Sequence, residues 1–344
     1  MATIHDVAQR AGVSIATVSR VLNGKASGQA AVRVQEAVEA LCYVPNPTAR
    51  NLRRSESRVI LILAPNITNP YYASIASGIN RTACDLGYTP LLYNTSGSRS
   101  TTQERLALLE RRQADGAILM ATEQGSAWLG DYAARYPIVQ CSEYDPDVPI
   151  PHVCVDNYRA AREATAYLRR LGHKRIGIIS SVNRYMSTEL RLRGYADELR
   201  TCGLPVREEY IRYAAEDYNF KSGFDAAASL LSQENRPTAL FCISDVLALG
   251  AIASAQEIGF KVPQDVSIIG FDDVEHTTMF HPHVTTVAQP SEEIGSRAVR
   301  LLSEVMAGSR VPEQVLLPHK LIVRESTAAR HREAMEFAAS MTGR

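Results

Sequence analysis

The sequence predicts an all-α helix-turn-helix head followed by an α/β body that contains two doubly wound parallel-sheet lobes. Two observations carry this prediction. Residues 2–23 have the pattern of two short helices joined by a tight turn, and from Val59 onward short apolar runs alternate with helical stretches. The chain has 344 residues. The roughly 270 residues after Val59 exceed what one hydrophobic core usually holds, so we expect two lobes in the body.

The head begins with residues that start and stop helices. Thr3 is suited to N-cap a helix that runs through Ala11. Gly12 tolerates the positive φ that commonly ends a helix. Ser14 then caps a second helix that runs to about Asn23. This predicts a tight turn between two short helices.

The same stretch supplies a small apolar core. Its members recur at helical spacing and are Ile4, Val7, Val18, Val21 and Leu22. The spacing from Ala8 to Gly12 to Val18 is that of a helix-turn-helix. By itself this spacing also fits an ordinary helical hairpin. A third helix is expected from Gln29 to Leu41.

A basic segment follows the head. Prolines in 44–47 break regular structure, and TARNLRRSES occupies 48–57. The segment is too short for a stable isolated helix and has one large apolar residue, Leu52. One interpretation is that it orders on DNA, with Leu52 between minor-groove base steps and Arg50 and Arg53 on the backbone or groove edge. The segment alone favours the other interpretation, a solvated linker.

Charge is distributed unevenly along the chain. The whole chain is neutral, with 37 basic and 37 acidic residues. Residues 1–58, however, contain eight basic and four acidic residues. The head therefore carries +4 and the remainder −4, which suits a polyanionic partner for the head alone.

No signal peptide or transmembrane run is present, and six scattered cysteines without a CxxC motif are typical of a reducing compartment. We expect a cytoplasmic protein without a membrane partner.

Motifs for catalysis and for resident cofactors are missing from the sequence. No GxGxxG follows a predicted strand, and GxxxxGK[ST], GxSxG and HExxH do not occur. We therefore expect no enzyme activity, no cofactor and no metal. The triplet His281-Pro282-His283 has a spacing that metal sites use, but we interpret it as a surface loop.

The body alternates strands and helices. VILILAP at 59–65 is a continuous apolar run, typical of a strand buried on both faces. Further strands are expected at 89–93, 116–120, 137–141, 152–155, 175–180, 239–243 and 266–271. Helices are expected at 71–86, 102–113, 158–171, 190–201, 222–231, 246–258 and 292–306. GHKRIGII at 172–179 opens a second such series, which predicts a ligand cleft at the strand C-termini between two lobes.

Aromatic and polar side chains stand where these strands end. Tyr71 and Tyr72 follow the first strand and can stack on a ring, although Tyr72 equally suits packing between lobes. Asp272 ends VSIIGFDD and can accept two hydroxyl hydrogen bonds. The other candidates that follow strands in this way are Tyr185, Ser187, Arg191, Tyr218, Ser142 and Glu143. We interpret Asp245 as a helix cap and Asp156 as a brace where the chain crosses between lobes.

At the N-terminus, ATIHDVAQRAGVS and ATVSRVLNGK, followed by YVPNPTARNLRR, resemble the DNA-binding head and hinge of the LacI/GalR family of bacterial repressors. The resemblance implies a recognition helix in the major groove, with Ile15, Ala16 and Arg20 facing base edges. It also implies that Leu52 is the minor-groove wedge of paired hinge helices. Phosphate contacts are implied for Ser14, Thr17, Ser19, Asn23 and Tyr43.

The resemblance continues to about Thr327 as the family's periplasmic-binding-protein-like core. RPTALFCISDVLALGAIASAQEIGFKVPQDVSIIGFDD is most similar to the purine and cytidine repressor branch. This implies a sugar, nucleoside or purine-like effector bound first by Tyr71, Tyr72, Arg191, Tyr218 and Asp272. It also implies chain crossings between lobes near 155–158, 285–290 and 321–326.

These inferences give the following expected organisation. The segments are a helix-turn-helix domain at 1–46, a hinge at 47–58, an effector-binding and dimerisation domain at 59–327 and a tail at 328–344. Within the effector domain, one lobe is expected at about 59–157 and 288–321, and the other at about 158–287 and 322–327.

The expected protein is a homodimeric repressor. It binds a near-palindromic operator, and an effector controls that binding. The tail shows no leucine heptads, so a tetramer is not expected. Ala30-Ala31 departs from the Thr-Arg pair usual in the family, which predicts a missing helix cap and a missing phosphate contact. The alternative is a periplasmic-type sugar-binding protein without a DNA function.

Overall fold

The computed structural model describes residues 2–22, 24–43, 56–215 and 218–330. The chain forms two compact units that divide between Ser57 and Arg58, and each is described by itself. None of the helices in the described ranges combines the length and apolar character needed to cross a bilayer.

The described part of the first unit is a bundle of three helices. Its helices are Ile4–Ala11, Ile15–Leu22 and Gln29–Ala40. Val7, Val18 and Val34 are fully buried at its centre. The apolar spacing in the sequence therefore identified the core, since these valines come from all three helices.

Local chemistry at the ends of these helices agrees with the sequence prediction. Thr3 and Asp6 form a reciprocal capping box, and Gly12 has φ 60° at the end of the first helix. The Ser14 hydroxyl accepts from the Thr17 backbone N at 3.2 Å. By contrast, Gly28 precedes the third helix without a side-chain cap, in agreement with the predicted loss.

The second unit contains two six-stranded sheets. Twelve strands, numbered in chain order, are β1 Val59–Ala64, β2 Thr89–Asn94, β3 Gly116–Leu119, β4 Ile138–Cys141, β5 His152–Val155, β6 Ile176–Ser181, β7 Ile211–Ala214, β8 Ala239–Cys242, β9 Ser267–Asp272, β10 Thr285–Ala288, β11 Gln314–Leu317 and β12 Lys320–Ile322. The first sheet has the order β11-β5-β4-β3-β1-β2, and the second has the order β12-β10-β9-β8-β6-β7. Every strand pair is parallel except β10–β12, as the alternating pattern predicted.

Helices cover these sheets. The helices are Pro70–Asp85, Arg99–Glu110, Leu129–Ala133, Asn157–Arg170, Met186–Thr201, Phe220–Leu231, Asp245–Glu257 and Ser291–Met306. Those at 70–85, 99–110, 129–133 and 291–306 belong to the first sheet's lobe, called lobe 1. The other four belong to the second sheet's lobe, called lobe 2.

The chain passes between the lobes three times. It leaves lobe 1 after Val155 and returns after Ala288, near the expected positions. The third passage lies between Leu317 and Lys320, before the expected range 321–326. The reason is that β12 already pairs antiparallel with β10 of lobe 2, so lobe 1 ends earlier than expected.

Close helix crossings use glycine in both lobes. A Cβ on Gly78 would lie 2.0 Å from the Glu292 carbonyl oxygen, and one on Gly295 would lie 2.2 Å from the Ile75 carbonyl oxygen. Lobe 2 repeats the arrangement, because a Cβ on Gly250 would lie 2.2 Å from the Phe220 carbonyl oxygen. These helix backbones therefore touch where a side chain is absent.

Candidate functional site

The candidate residues of the body meet at the C-terminal edges of the two sheets. Tyr71 and Tyr72 stand at the start of the helix after β1, where Asn69 caps the helix through the Tyr71 backbone N at 3.0 Å. Arg191 lies in the helix after β6, and Asp272 is the last residue of β9. Parallel strands bring these chain-distant positions to one edge, so the expected cluster forms.

Its inner part is a buried polar network. The Tyr71 hydroxyl lies 2.8 Å from Ser142 Oγ and donates to Gln289 Oε1 at 3.1 Å. Gln289 Nε2 donates to Asp272 Oδ1 at 2.8 Å. Gln289 thus joins a tyrosine of lobe 1 to the carboxylate of lobe 2.

Arg191 is held rigidly inside this network. Its Nε donates to Asn157 Oδ1 at 2.9 Å and its Nη1 donates to the Ile243 carbonyl at 2.6 Å. The guanidinium lies 3.7 Å from the Phe271 ring centroid and 4.0 Å from Asp272 Oδ1. The cation is therefore fixed by hydrogen bonds and a ring face, with only a long ionic contact to Asp272.

Burial changes the acidity of the site carboxyls. It raises the pKa of Asp272 to about 7, although the Arg191 guanidinium opposes the shift. Burial also raises the pKa of Glu143, against Arg191 and hydrogen bonds from Ser187. A carboxyl with a pKa near neutrality can change between hydrogen-bond donor and acceptor as a ligand arrives.

Backbone conformation at the site departs from the usual L-residue range. Ser142, Tyr218 and Asp272 have φ values of 73°, 50° and 122°. Non-glycine residues hold such angles only when their surroundings enforce them, and such residues concentrate at functional sites. This observation supports a binding role for the strand ends.

Two adjoining spaces lie at this edge. The inner one, beside Tyr71, Arg191 and Asp272, has a volume of about 20 Å³, which is room for about one water molecule. The outer one has about 330 Å³, the lower end of the range of small-molecule pockets, about 300–1,000 Å³. It is lined by Pro65, Asn66, Tyr72, Asn94, Ser96, Gly97, Glu123, Tyr185 and Tyr218.

Sequence reasoning missed part of this lining. Asn66 follows β1, Asn94 is the last residue of β2, and Glu123 follows β3. Each is a strand-end polar residue, so the rule that found Tyr71 was available for them as well. Gln289 and Asn157 were missed for a different reason, since they act only through contacts with residues far along the chain.

The lobes touch directly across the cleft. Glu143 of lobe 1 accepts from the Ser187 backbone N at 3.1 Å and from the Ser187 hydroxyl at 2.5 Å. The Gln124 backbone N donates to the Arg184 carbonyl at 3.0 Å, and Gln124 Nε2 donates to Glu189 Oε2 at 2.9 Å. The predicted effector residue Ser187 is thus engaged in a contact between lobes.

Two acids have roles other than those expected. Ser244, not Asp245, caps the helix after β8. Asp245 is fully buried and accepts from Val274 N at 2.9 Å and Thr286 Oγ1 at 2.6 Å, which fixes the loop after Asp272. Asp156 caps the helix after the first passage through Arg159 N at 2.9 Å. The sequence could not show the role of Asp245, because its partners lie far along the chain, in the loop after β9 and on β10.

Tyr218 lies in the loop that follows β7, which ends at Ala214. Its hydroxyl is within hydrogen-bond distance of Thr188 and donates to Asn183 Oδ1 at 3.4 Å. Burial raises its pKa to about 12, which keeps the phenol neutral.

In the head, the second helix presents part of its surface to solvent. Ala16 and Arg20 are exposed, whereas Ile15 is partly buried and packs against the core. Ser14 is exposed and bonds to Thr17. Ser19 and Tyr43 are partly buried, and the predicted contacts Asn23, Arg50, Leu52 and Arg53 lie outside the described residues.

Both units match models of known families. Residues 3–46 match the bacterial regulatory proteins of the lacI family. Residues 57–325 match the periplasmic binding proteins and sugar binding domain of the LacI family.

Relatives and solved structures agree with these matches. The HTH-type transcriptional repressor CytR of Escherichia coli K12 is 40% identical over 332 residues, which cover 95% of this chain and 97% of that protein. Catabolite control protein A of Priestia megaterium is 36% identical, with 94% and 99% covered. The lac repressor dimer bound to operator and the anti-inducer ONPF superposes with a TM-score of 0.87 at 26% identity, with 95% of this chain and 99% of that one covered. The transcriptional regulator CelR in complex with cellobiose gives a TM-score of 0.72 at 27% identity, with 95% and 100% covered.

Proposed function

The chain belongs to the LacI family of bacterial regulatory proteins, and we propose which of its residues read DNA and which bind the controlling ligand. It is a sequence-specific DNA-binding transcriptional regulator whose operator affinity is controlled by a small-molecule effector. The alternative of a sugar-binding protein without a DNA function is set aside, because residues 3–46 match the family's DNA-binding domain.

For DNA, we propose that the second helix lies in the major groove. The exposed Arg20 side chain then hydrogen-bonds guanine, and Ala16 and Ile15 contact thymine methyl groups. Phosphate contacts are assigned to hydroxyl, amide and phenol side chains, namely those of Ser14, Thr17, Ser19, Asn23 and Tyr43. Arg50 and Arg53 of the hinge contact the backbone beside the minor groove.

Leu52 is the proposed minor-groove wedge. Leu52→Ala removes the apolar group that holds two base steps apart, so operator affinity is expected to fall by about tenfold or more. Effector affinity, measured on the same preparation by calorimetry, should stay at the wild-type value because all the proposed effector residues belong to the domain that begins at Val59. Unchanged operator binding in a fluorescence-anisotropy titration would exclude the wedge.

For the effector, we propose a small ring compound with neighbouring hydroxyls, such as a nucleoside or a pentose. The observation that carries this proposal is the convergence of Tyr72, Tyr185 and Tyr218 on the cavity of about 330 Å³ beside the Asp272–Arg191 pair. Aromatic faces suit a base or sugar ring, and a carboxylate accepts from two hydroxyls. Similarity to the cytidine and purine repressor branch points the same way.

Calorimetry with nucleosides, ribose and purine bases tests the ligand class. A nucleoside or ribose is expected to release heat, and Tyr218→Phe is expected to weaken its binding by about tenfold or less, since one hydroxyl is lost. Tyr213→Phe is the matched control, because Tyr213 is exposed on β7 outside the cavity. The absence of heat with all three compound classes would remove the proposal.

We also propose that two copies bind one near-palindromic operator, as the lac repressor dimer does. An exposed apolar surface fits this arrangement. Leu91 and Leu92 on the edge strand β2 are 37% and 47% exposed.

Because operator DNA lies in the cytoplasm, we place the protein there.

Finally, we propose that the body binds its ligand without converting it. The relatives are named as regulators, and the hydroxyls of Ser142 and Ser187 are engaged by Tyr71 and Glu143. Recovery of the calorimetric ligand unaltered, checked by mass spectrometry after prolonged incubation, is the expected result.

A further inference from the structure

We propose that His281, His283 and Glu325 form a binding site for a divalent transition-metal ion such as Zn²⁺. From the sequence alone, we interpreted the histidine triplet as a surface loop. The fold supplies the carboxylate: Glu325, after β12, lies against the histidines that precede β10.

The three ligand groups converge. One donor atom from each residue lies within 4.8 Å of the others. His281 Nδ1 is 2.7 Å from Glu325 Oε2, and His283 Nδ1 is 3.7 Å from Glu325 Oε1. Ligands at about 2.0–2.2 Å from a tetrahedral zinc ion are themselves about 3.3–3.5 Å apart, a spacing that lies between the two distances in the structure. The imidazole rings stack at an interplanar angle of 19°, so at least one ring must rotate for both Nδ1 atoms to point at one ion.

The backbone holds the ligands in place before any ion arrives. His283 N donates to Glu325 Oε2 at 2.9 Å, and Glu325 N and Ser326 N both donate to the His283 carbonyl at 3.0 Å. The two imidazole rings stack with centroids 4.4 Å apart. Folding therefore brings the three residues together, and rotation of an imidazole ring completes the site when an ion binds.

The donor set selects the class of ion. Two imidazoles and one carboxylate are ligands that zinc and its first-row neighbours prefer, whereas Ca²⁺ and Mg²⁺ prefer oxygen ligands alone. The side chain of His281 is 77% exposed, which leaves an entry path and a coordination position open to water. Among the described residues, no other group of three such ligands meets the same spacing.

The site is separate from the effector cavity. The histidines precede β10, whereas Gln289 of the effector network follows it, so the four-residue strand, about 13 Å long, lies between them. A bound ion would tie the loop before β10 to the segment after β12. It would therefore stabilise lobe 2 without touching the effector.

A titration of the full chain with ZnCl₂ by calorimetry in a non-chelating buffer tests the proposal. One ion per chain is expected, together with a rise in Tm on addition of zinc. His281→Ala and His283→Ala should each weaken binding by about tenfold or more and abolish the Tm rise. His276→Ala is the matched control, an exposed histidine of the same loop outside the trio, and should bind as the wild type does.

A parallel titration with CoCl₂ identifies the ligands. The visible d–d bands should lack the sulfur charge-transfer band that the exposed thiols Cys42 and Cys84 would produce. Three results would each overturn the proposal: no binding at millimolar metal, wild-type affinity in both histidine variants, or a thiolate spectrum. Because the His281 side chain is largely exposed, His281→Ala should fold as the wild type does, and a loss of zinc binding can then be attributed to the lost ligand.

Discussion

Asp272 combines a binding role with a cost in stability. Its side chain is 95% buried, and its folded-state pKa of about 7 lies above the value of about 3.9 for an unfolded aspartate. Between about pH 4 and 7, the Asp272 carboxyl is therefore protonated in the folded protein and ionised in the unfolded chain. The stability that this proton provides is lost as the pH rises through 7.

We expect Asp272→Asn to stabilise the protein at pH 8 by about 1–4 kcal/mol, because an amide cannot ionise in the buried site. The gain should shrink towards pH 4, where the aspartate is protonated. Urea unfolding at both pH values measures this. The same variant should lose effector heat, since the hydroxyl-accepting carboxylate is gone.

Asp147→Asn is the matched control for this prediction, because Asp147 is an exposed carboxylate of the same unit. Its stability should differ from that of the wild type by less than about 0.5 kcal/mol at either pH. The stability difference between Asp272→Asn and the wild type should be more favourable at pH 8 than at pH 4. The opposite order would contradict the assignment of Asp272 as a destabilising buried acid.

Single residues show where sequence reasoning ends. Tyr71, Arg191 and Asp272 were predictable because each follows a strongly apolar strand, and parallel strands end at one edge. Asp245 was misassigned to a cap, since its partners Val274 and Thr286 lie about 30 to 40 positions away. Such partners are chosen by tertiary packing, which no local pattern encodes.

Among the elements, the reciprocal glycines at helix crossings are the most sensitive positions. Gly78→Ala places a Cβ against the Glu292 backbone, which cannot rotate away as a side chain would. We expect a loss of about 2 kcal/mol or more in the free energy of unfolding. Chemical denaturation measured by circular dichroism would show it.

Gly130→Ala serves as the control for that experiment. Gly130 is also helical, but a Cβ there would meet nothing within 4 Å. Its replacement should leave stability unchanged or raise it by up to about 1 kcal/mol, the helix propensity difference. Equal losses in both variants would mean that close approach is not the cause.

The elements differ in how well the sequence predicts them. β1, β3 and β8 are buried on both faces and read as continuous apolar runs. The apolar pattern of the sequence does not predict strands at β10, β11 and β12. β10 carries two threonines, and β11 and β12 are half-exposed edge strands, so pairing with neighbours rather than their own composition makes them strands.

At the scale of the whole molecule, dimerisation links the two functions. Leu92→Asp puts a charge on the proposed dimer surface, and we expect dimerisation to weaken by about tenfold or more, since 1.4 kcal/mol suffices for that. Sedimentation velocity measures it. Operator affinity should fall with it, while effector affinity per chain stays unchanged.

The opposite edge of the same sheet provides the control. Leu316 on β11 is 48% exposed, much like Leu92. Leu316→Asp should leave the dimer intact. If both variants dimerise as the wild type does, β2 is not part of the interface.

The third passage between the lobes has a consequence for synthesis. β11, at 314–317, completes the first sheet, and β12, at 320–322, completes the second. A nascent chain on the ribosome therefore lacks an edge strand of both sheets until the ten earlier strands have been made. At about 5–20 residues per second, the earlier strands wait many seconds with an uncovered edge, so newly made protein should rely on chaperones more than a chain with contiguous lobes would.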